Sequence, residues 1–116
     1  MPISRFLTSV RHALRGIRVV FISERNFRIQ VLAAVLVLWT GVLLGVKTWE
    51  FILLLLLSAA VLVLELVNSV IERMADGLSP RLKPIVRDIK DVMAGTVLLA
   101  ALVAMAIGLM IFVPLL

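Results

Sequence analysis

Three long stretches without a charged residue most constrain how this chain can fold. Residues 29–46 form one uncharged run, residues 92–116 form another, and between them an apolar run begins at Phe51 and continues until Glu65. A helix needs about 20 apolar residues to cross a hydrocarbon core of about 30 Å. Backbone groups in lipid must find their hydrogen bonds within the protein, so we expect three membrane-spanning helices.

The composition excludes several classes of protein. Hydrophobic residues make up 63% of the chain and charged residues 16%, whereas an ordinary soluble domain has about 45–50% apolar and about 25% charged residues. A water-soluble globular domain is therefore excluded. The sequence contains no Cys and one His, His12, which excludes disulfides, zinc–thiolate sites, cysteine nucleophiles and a histidine metal cluster.

The basic residues predict how the chain is oriented. Because Lys and Arg are retained on the cytoplasmic side, we expect the N-terminus and the second loop to be cytoplasmic, and the first loop and C-terminus to lie outside. This distribution accounts for the net charge of +5, so we expect no nucleic-acid partner. Six basic residues precede the first span (Arg5, Arg11, Arg15, Arg18, Arg25 and Arg28), Lys47 lies in the first loop, and five lie in the second loop region (Arg73, Arg81, Lys83, Arg87 and Lys90).

The first 22 residues have the pattern of an amphipathic helix. Apolar residues recur at helical spacing from Ile3 to Phe21, and arginines line one flank. Such a helix lies at the membrane interface, although a simple topology anchor would show the same periodicity. We therefore predict a single domain, 1–116, that is an all-α membrane protein. It has a surface helix at about 3–22 and spans at about 29–46, 51–71 and 92–114.

The end of the second span has a polar stripe. On a helix, Glu65, Asn68, Ser69, Glu72 and Asp76 all project from one face. Ionisable groups near lipid cost several kcal/mol unless they are paired, hydrated or bound to metal. A solvated helix end would explain the last two acids but explains Glu65 and Asn68 poorly. The compensating cation is either a divalent ion such as Mg²⁺ or a basic side chain, of which the candidates are Arg73, Arg87 and Lys90.

Three segments resemble a known family, the small bacterial integral-membrane lipid kinases that include diacylglycerol kinase and undecaprenol kinase. The chain has no glycine-rich phosphate loop, so a bound nucleotide would have to be held differently. The similar segments are Glu24-Arg25-Asn26-Phe27-Arg28, Glu65-x-x-Asn68-Ser69-x-Ile71-Glu72-x-x-x-Asp76, and Lys90-Asp91-x-x-Ala94-Gly95-x-Val97-Leu98-Leu99.

This resemblance implies a homotrimer in the bacterial inner membrane that transfers the γ-phosphoryl group of Mg-ATP to a lipid hydroxyl at the cytoplasmic interface. It also implies roles for individual residues. Glu65 would be the general base, Glu24 and Glu72 would bind Mg²⁺ and with it ATP, and Asn68 would position phosphate, metal or neighbouring side chains. ATP would further be bound by Arg5, Lys90 and Asp91, and the lipid by Arg5, Glu65 and Ala94.

The sequence also departs from the diacylglycerol kinases of Gram-negative bacteria. Gln30 stands where those enzymes have an acidic residue, His12 replaces a Tyr, and residues 81–83 replace a Glu-Tyr-His triplet. The Glu24–Arg28 run and the Ala94-Gly95 pair resemble the undecaprenol kinase branch more closely. Undecaprenol and diacylglycerol both stay open as substrates. The alternatives to a kinase are a small transporter with an intramembrane Glu and a non-enzymatic assembly subunit.

Overall fold

A computed structural model describes residues 2–78 and 83–116, and these residues are helical apart from short connections. The predicted all-α fold class is confirmed, because three of the four helices are long and apolar enough to cross a membrane. Arg81, which the sequence analysis assigns to the second loop region, lies outside the described residues. The helices are α1 (Pro2–Ser23), α2 (Arg25–Leu44), α3 (Thr48–Leu78) and α4 (Lys83–Phe112), and a 3₁₀ turn (Val113–Leu115) follows α4.

A tight connection joins α2 to α3. Gly45 ends α2 in the left-handed conformation, with φ 69°, which glycine adopts without steric cost. The Gly45 and Val46 amides donate to carbonyls in the last turn of α2, at 3.2 and 3.1 Å, as in a Schellman cap. The Glu50 carboxylate accepts a hydrogen bond of 2.9 Å from the Lys47 amide, so a capping-box contact begins α3 only a few residues later.

A second sharp bend, the α1–α2 corner (residues 20–28), separates the N-terminal helix from the first span. Glu24 has an extended backbone, φ −117° and ψ 113°, which interrupts the helix. Arg28 donates from Nη1 to the carbonyl oxygens of Phe21 and Ile22, both at 2.8 Å, and so caps the end of α1. The rings of Phe21 and Phe27 also meet edge to face, with centroids 6.4 Å apart.

The protomer has a sparse core. Helix α3 packs against both α2 and α4, and the buried hydrophobic residues are few (Val20, Phe27, Leu54, Ala75, Val86, Val97 and Ile111). Most large apolar side chains on the three long helices are exposed to the surroundings. An exposed surface of this kind is stable only when lipid or another protein covers it.

Helix α1 exposes its apolar stripe. The seven residues of this stripe are between 38% and 74% exposed; they are Ile3, Phe6, Leu7, Val10, Leu14, Ile17 and Phe21. The amphipathic helix is therefore present and its apolar side is largely exposed, with the Phe21 ring in contact with Phe27 of α2. Its location at the membrane interface stays a prediction.

Candidate functional site

Burial along the polar stripe of α3 falls toward the end of the helix. Glu65 is 3% exposed, Asn68 7% and Ser69 0%. Glu72, two turns beyond Glu65, is half-buried, and Asp76 is exposed. The ionisable group that lies deepest among apolar residues is therefore also the most completely enclosed, which is costly unless other groups stabilise its charge.

The side chains around Glu65 come from three parts of the chain. Glu24 of the α1–α2 corner and Glu72 of α3 both lie close enough to repel the Glu65 carboxylate electrostatically. The side-chain amides of Gln30, on α2, and Asn68, on α3, lie near the same carboxylate and interact favourably with its charge. We call these five residues the rim cluster. The fold thus brings together three of the predicted site residues on α3 and the predicted residue Glu24.

Two acceptor atoms in the rim cluster lack partners. The amide oxygens Oε1 of Gln30 and Oδ1 of Asn68 are buried and accept no hydrogen bond from any described residue. The Asn68 Nδ2 group lies 3.5 Å from Oε1 of Glu72, which is long for a hydrogen bond. Buried polar atoms are nearly always satisfied in functional proteins, so these two oxygens mark positions where a donor from a ligand or water would fit.

The rim cluster contains three carboxylates, and carboxylate oxygens are the kind of ligand that Mg²⁺ prefers. Among the described residues, no group of three or more His, Cys, Asp or Glu side chains could hold a metal ion. No described Lys or Arg forms an ion pair with Glu24, Glu65 or Glu72. Mg²⁺ commonly binds one or two carboxylates and completes its shell with water and phosphate oxygens, so the metal role of Glu24 and Glu72 needs only two of these groups and stays a prediction.

The basic residues considered from the sequence have other partners. Lys90 forms an ion pair with Asp76, and these side chains are 38% and 65% exposed. Arg73 donates from Nε to the Ser69 hydroxyl at 3.3 Å and from Nη2 to the Ser23 hydroxyl at 2.9 Å. Arg87 is exposed on α4. Within the described chain, none of the three neutralises the carboxylates around Glu65 through an ion pair.

Three further predicted site residues are exposed on α1 and α4. Asp91 and Ala94 follow Lys90 on α4, and both are exposed. Arg5 is exposed near the start of α1, about 27 Å along the helix axis from Ser23 at a rise of 1.5 Å per residue. Their predicted contacts with nucleotide or lipid stay predictions.

An open apolar groove of about 410 Å³ runs between α2, α3 and α4. Alanine, valine and leucine side chains form most of its walls, and Gln30 lines it beside them. The same Gln30 side chain contacts Glu65. Gln30 therefore lies both in the wall of the groove and beside the buried carboxylate.

Gln30 is a candidate site residue whose proximity to Glu65 could not be inferred from the sequence. In the sequence, Gln30 stands out only as a single amide at the start of an otherwise apolar run. Sequence spacing relates residues on one helix, whereas the contact between Gln30 and Glu65 depends on how α2 packs against α3.

Together, three long apolar helices and a buried carboxylate with amide neighbours define a small multi-pass membrane protein with a polar site at one end of the bundle. Residues 11–112 match the family of prokaryotic diacylglycerol kinases. The chain belongs to that family and is a lipid kinase.

Two relatives agree with this assignment. The undecaprenol kinase of Bacillus subtilis (strain 168) is 37% identical over 112 residues, which cover 97% of this chain and 91% of that protein. The diacylglycerol kinase of Synechocystis sp. (strain ATCC 27184 / PCC 6803 / Kazusa) is 34% identical over 109 residues, which cover 93% of this chain. The matched region spans 62% of the length of the Synechocystis protein.

Proposed function

We propose that this lipid kinase transfers the γ-phosphoryl group of Mg-ATP to the hydroxyl group of a membrane lipid alcohol, and that undecaprenol is preferred over diacylglycerol. The observation that carries the reaction is the buried Glu65 carboxylate, which contacts the Gln30 and Asn68 amides and lies beside Glu24 and Glu72. The relative that is matched over nearly its full length is an undecaprenol kinase, which supports the choice of lipid.

Glu65 is the proposed general base. It accepts the proton of the lipid hydroxyl while the hydroxyl oxygen attacks the γ-phosphorus; the bond from that phosphorus to the β,γ-bridging oxygen breaks, and ADP leaves. The Gln30 and Asn68 amides orient the carboxylate so that one lone pair faces the hydroxyl. The groove that ends near Gln30 offers a hydrocarbon chain an apolar path to this point.

Glu24 and Glu72 are the proposed ligands of Mg²⁺, because they lie beside Glu65 and form no ion pair with a described basic residue. When bound, Mg²⁺ would neutralise phosphate charge as it develops during transfer. Lys90 is proposed to bind ATP phosphates after it exchanges Asp76 for the nucleotide. Arg5 and Asp91 are proposed to contact ATP, and Arg5 and Ala94 to contact lipid.

We further propose a homotrimer in the bacterial inner membrane, with the N-terminus and the rim cluster in the cytoplasm and the C-terminus outside. The apolar surfaces that each protomer exposes support association within the bilayer. The distribution of basic residues supports the orientation. The small transporter considered from the sequence is not supported, because the family is one of lipid kinases.

The decisive experiment compares the two lipid alcohols. Purified protein in lipid nanodiscs is given γ-labelled ATP and Mg²⁺ with undecaprenol or with diacylglycerol, and labelled lipid phosphate is measured. We expect phosphorylation of both at high concentration and a higher kcat/KM for undecaprenol. Absence of labelled lipid with either alcohol would refute the proposed reaction, and a higher kcat/KM for diacylglycerol would refute the proposed preference.

A further inference from the structure

Arg73 of α3 connects two hydroxyl groups that belong to different parts of the fold. Its Nε donates to Oγ of Ser69, one turn earlier on α3, and its Nη2 donates to Oγ of Ser23, the last residue of α1. Ser69 is fully buried, so the Arg73 end of this connection is anchored in the packed part of α3. Ser23 in turn donates to the Val19 carbonyl at 2.7 Å.

Two other contacts at the α1–α2 corner join α1 to α2. Arg28 caps carbonyls at the end of α1 from α2, and the Phe21–Phe27 contact joins the same two helices. They fix the shape of the corner between α1 and α2. Among the described side-chain hydrogen bonds, only the one from Arg73 to Ser23 joins α1 to α3.

The position of the corner matters because Glu24 directly follows Ser23. Glu24 lies close enough to Glu65 for the two carboxylates to repel each other. Glu24 has an extended backbone between two helices, so its carboxylate can be displaced by a small rotation of the corner. A hydrogen bond from α3 to the preceding residue limits that rotation.

We infer that Arg73 is a positioning residue that fastens the α1–α2 corner to α3 and thereby keeps Glu24 close to Glu65. The inference rests on the proposed function, since it takes Glu24 as a Mg²⁺ ligand. Arg73 itself stays outside the reacting groups. Guanidinium suits this task because its planar N–H groups reach two acceptors at once, which an ammonium group does less well.

Two measurements on the full-length protein in nanodiscs test the inference. Amide hydrogen exchange over residues 19–28 reports the rigidity of the corner independently of activity. The Mg²⁺ concentration for half-maximal kinase activity reports the placement of Glu24. The variants are Arg73→Gln, Ser23→Ala and their double mutant, with Ser23→Thr as the conservative control that keeps the hydroxyl and Lys47→Gln as a control that removes a charge at the other end of α3.

We expect Arg73→Gln and Ser23→Ala each to speed exchange at the corner and to raise the half-maximal Mg²⁺ concentration by about threefold to tenfold, the effect of one partly exposed hydrogen bond. The double mutant should be less than additive, because both changes remove the same contact. Ser23→Thr and Lys47→Gln should resemble the unmodified protein in both measurements.

Unchanged exchange in Arg73→Gln and Ser23→Ala would overturn the inference. It would also be overturned if exchange became faster in these variants but their Mg²⁺ response stayed unaltered, while Glu24→Gln did shift the Mg²⁺ response. If Glu24→Gln also leaves the Mg²⁺ response unaltered, the proposed metal role of Glu24 is what fails. The attachment of the corner to α3 by Arg73 is then judged from the exchange data alone. If the effects of Arg73→Gln and Ser23→Ala on exchange add up in the double mutant, this attachment is rejected.

Discussion

The Lys90 ammonium group on α4 is paired with the Asp76 carboxylate on α3, one helical turn beyond Glu72. This contact joins the two helices where α3 ends and α4 begins. Both side chains are substantially exposed, so the pair can exchange partners without uncovering a buried charge. Asp76 therefore holds the cation that the proposed mechanism assigns to ATP, close to the rim cluster and available to phosphate.

Removing the charge of Lys90 and removing the charge of Asp76 should change the KM for ATP in opposite directions. Lys90→Met should raise the KM for ATP by about tenfold, because a charge-assisted contact with phosphate is lost. Asp76→Asn should lower that KM by about twofold to fivefold, because the ammonium group no longer has to leave a carboxylate. Steady-state kinetics at saturating lipid measures both effects.

An ATP KM that rises in Asp76→Asn would contradict this role of the pair. The thermal unfolding temperature should change little in Asp76→Asn, since exposed ion pairs contribute little to stability. It serves as the control that the variant is folded.

Glu65→Gln should abolish most turnover while ATP binding is retained. An amide of nearly the same shape cannot accept the hydroxyl proton, and loss of a general base costs about 10²–10⁴-fold in kcat. Lipid phosphorylation measures turnover, and equilibrium binding of a fluorescent nucleotide measures retention. Glu50→Gln, at the opposite end of α3, is the matched control, because Gln also serves in a capping box. Turnover of Glu65→Gln near that of the unmodified enzyme would exclude Glu65 as the base.

Glu24→Gln and Glu72→Gln should change the metal requirement. Each removes one proposed carboxylate ligand, and the Mg²⁺ concentration for half-maximal activity should rise by at least about tenfold, in the range by which changes at metal sites weaken binding. Titration of activity with Mg²⁺ at saturating ATP and lipid measures this. Asp88→Asn removes an exposed acid from α4 and should leave the titration unchanged. Superimposable titrations for all three variants would remove Glu24 and Glu72 from the metal site.

Gln30→Leu should reduce kcat by about tenfold and leave the KM for ATP nearly unchanged. The substitution removes the amide that contacts Glu65 and keeps a side chain of similar length at the groove, so orientation of the base is lost while nucleotide contacts persist. Thr40→Val lies on the same helix more than two turns away and is the control. Equal kcat values in Gln30→Leu and Thr40→Val would show that the Gln30 amide does not act on the reaction.

The predicted orientation can be tested with single cysteines, since the chain has no native Cys. In intact bacterial cells whose outer membrane has been made permeable, Leu116→Cys should react with a membrane-impermeant maleimide, and Asp88→Cys should react only after the inner membrane is opened. Leu116 is 93% exposed, which gives the reagent access. Labelling of Asp88→Cys but not of Leu116→Cys in sealed cells would show that the orientation is opposite to the predicted one. The proposed access of the site to cytoplasmic ATP would then be wrong.

The helical fold and the polar stripe could be predicted from the sequence. Uncharged runs such as residues 29–46 specify spanning helices, because lipid leaves the backbone no other source of hydrogen bonds. Helical periodicity places Glu65, Asn68 and Glu72 on one face irrespective of what that face contacts. The extended backbone at Glu24 could not be predicted from the sequence, since the bend depends on capping by Arg28 from the following helix.

Only the tertiary structure decided which groups meet at that face. The contacts of Gln30 with Glu65, of Arg73 with Ser23 and of Lys90 with Asp76 join different helices. Their side chains meet because of how the helices pack and turn against each other, which local periodicity does not encode. The sequence by itself determined that polar groups lie at one end of a membrane-spanning bundle, and packing determined which acid is enclosed, which amides orient it and which cations are held elsewhere.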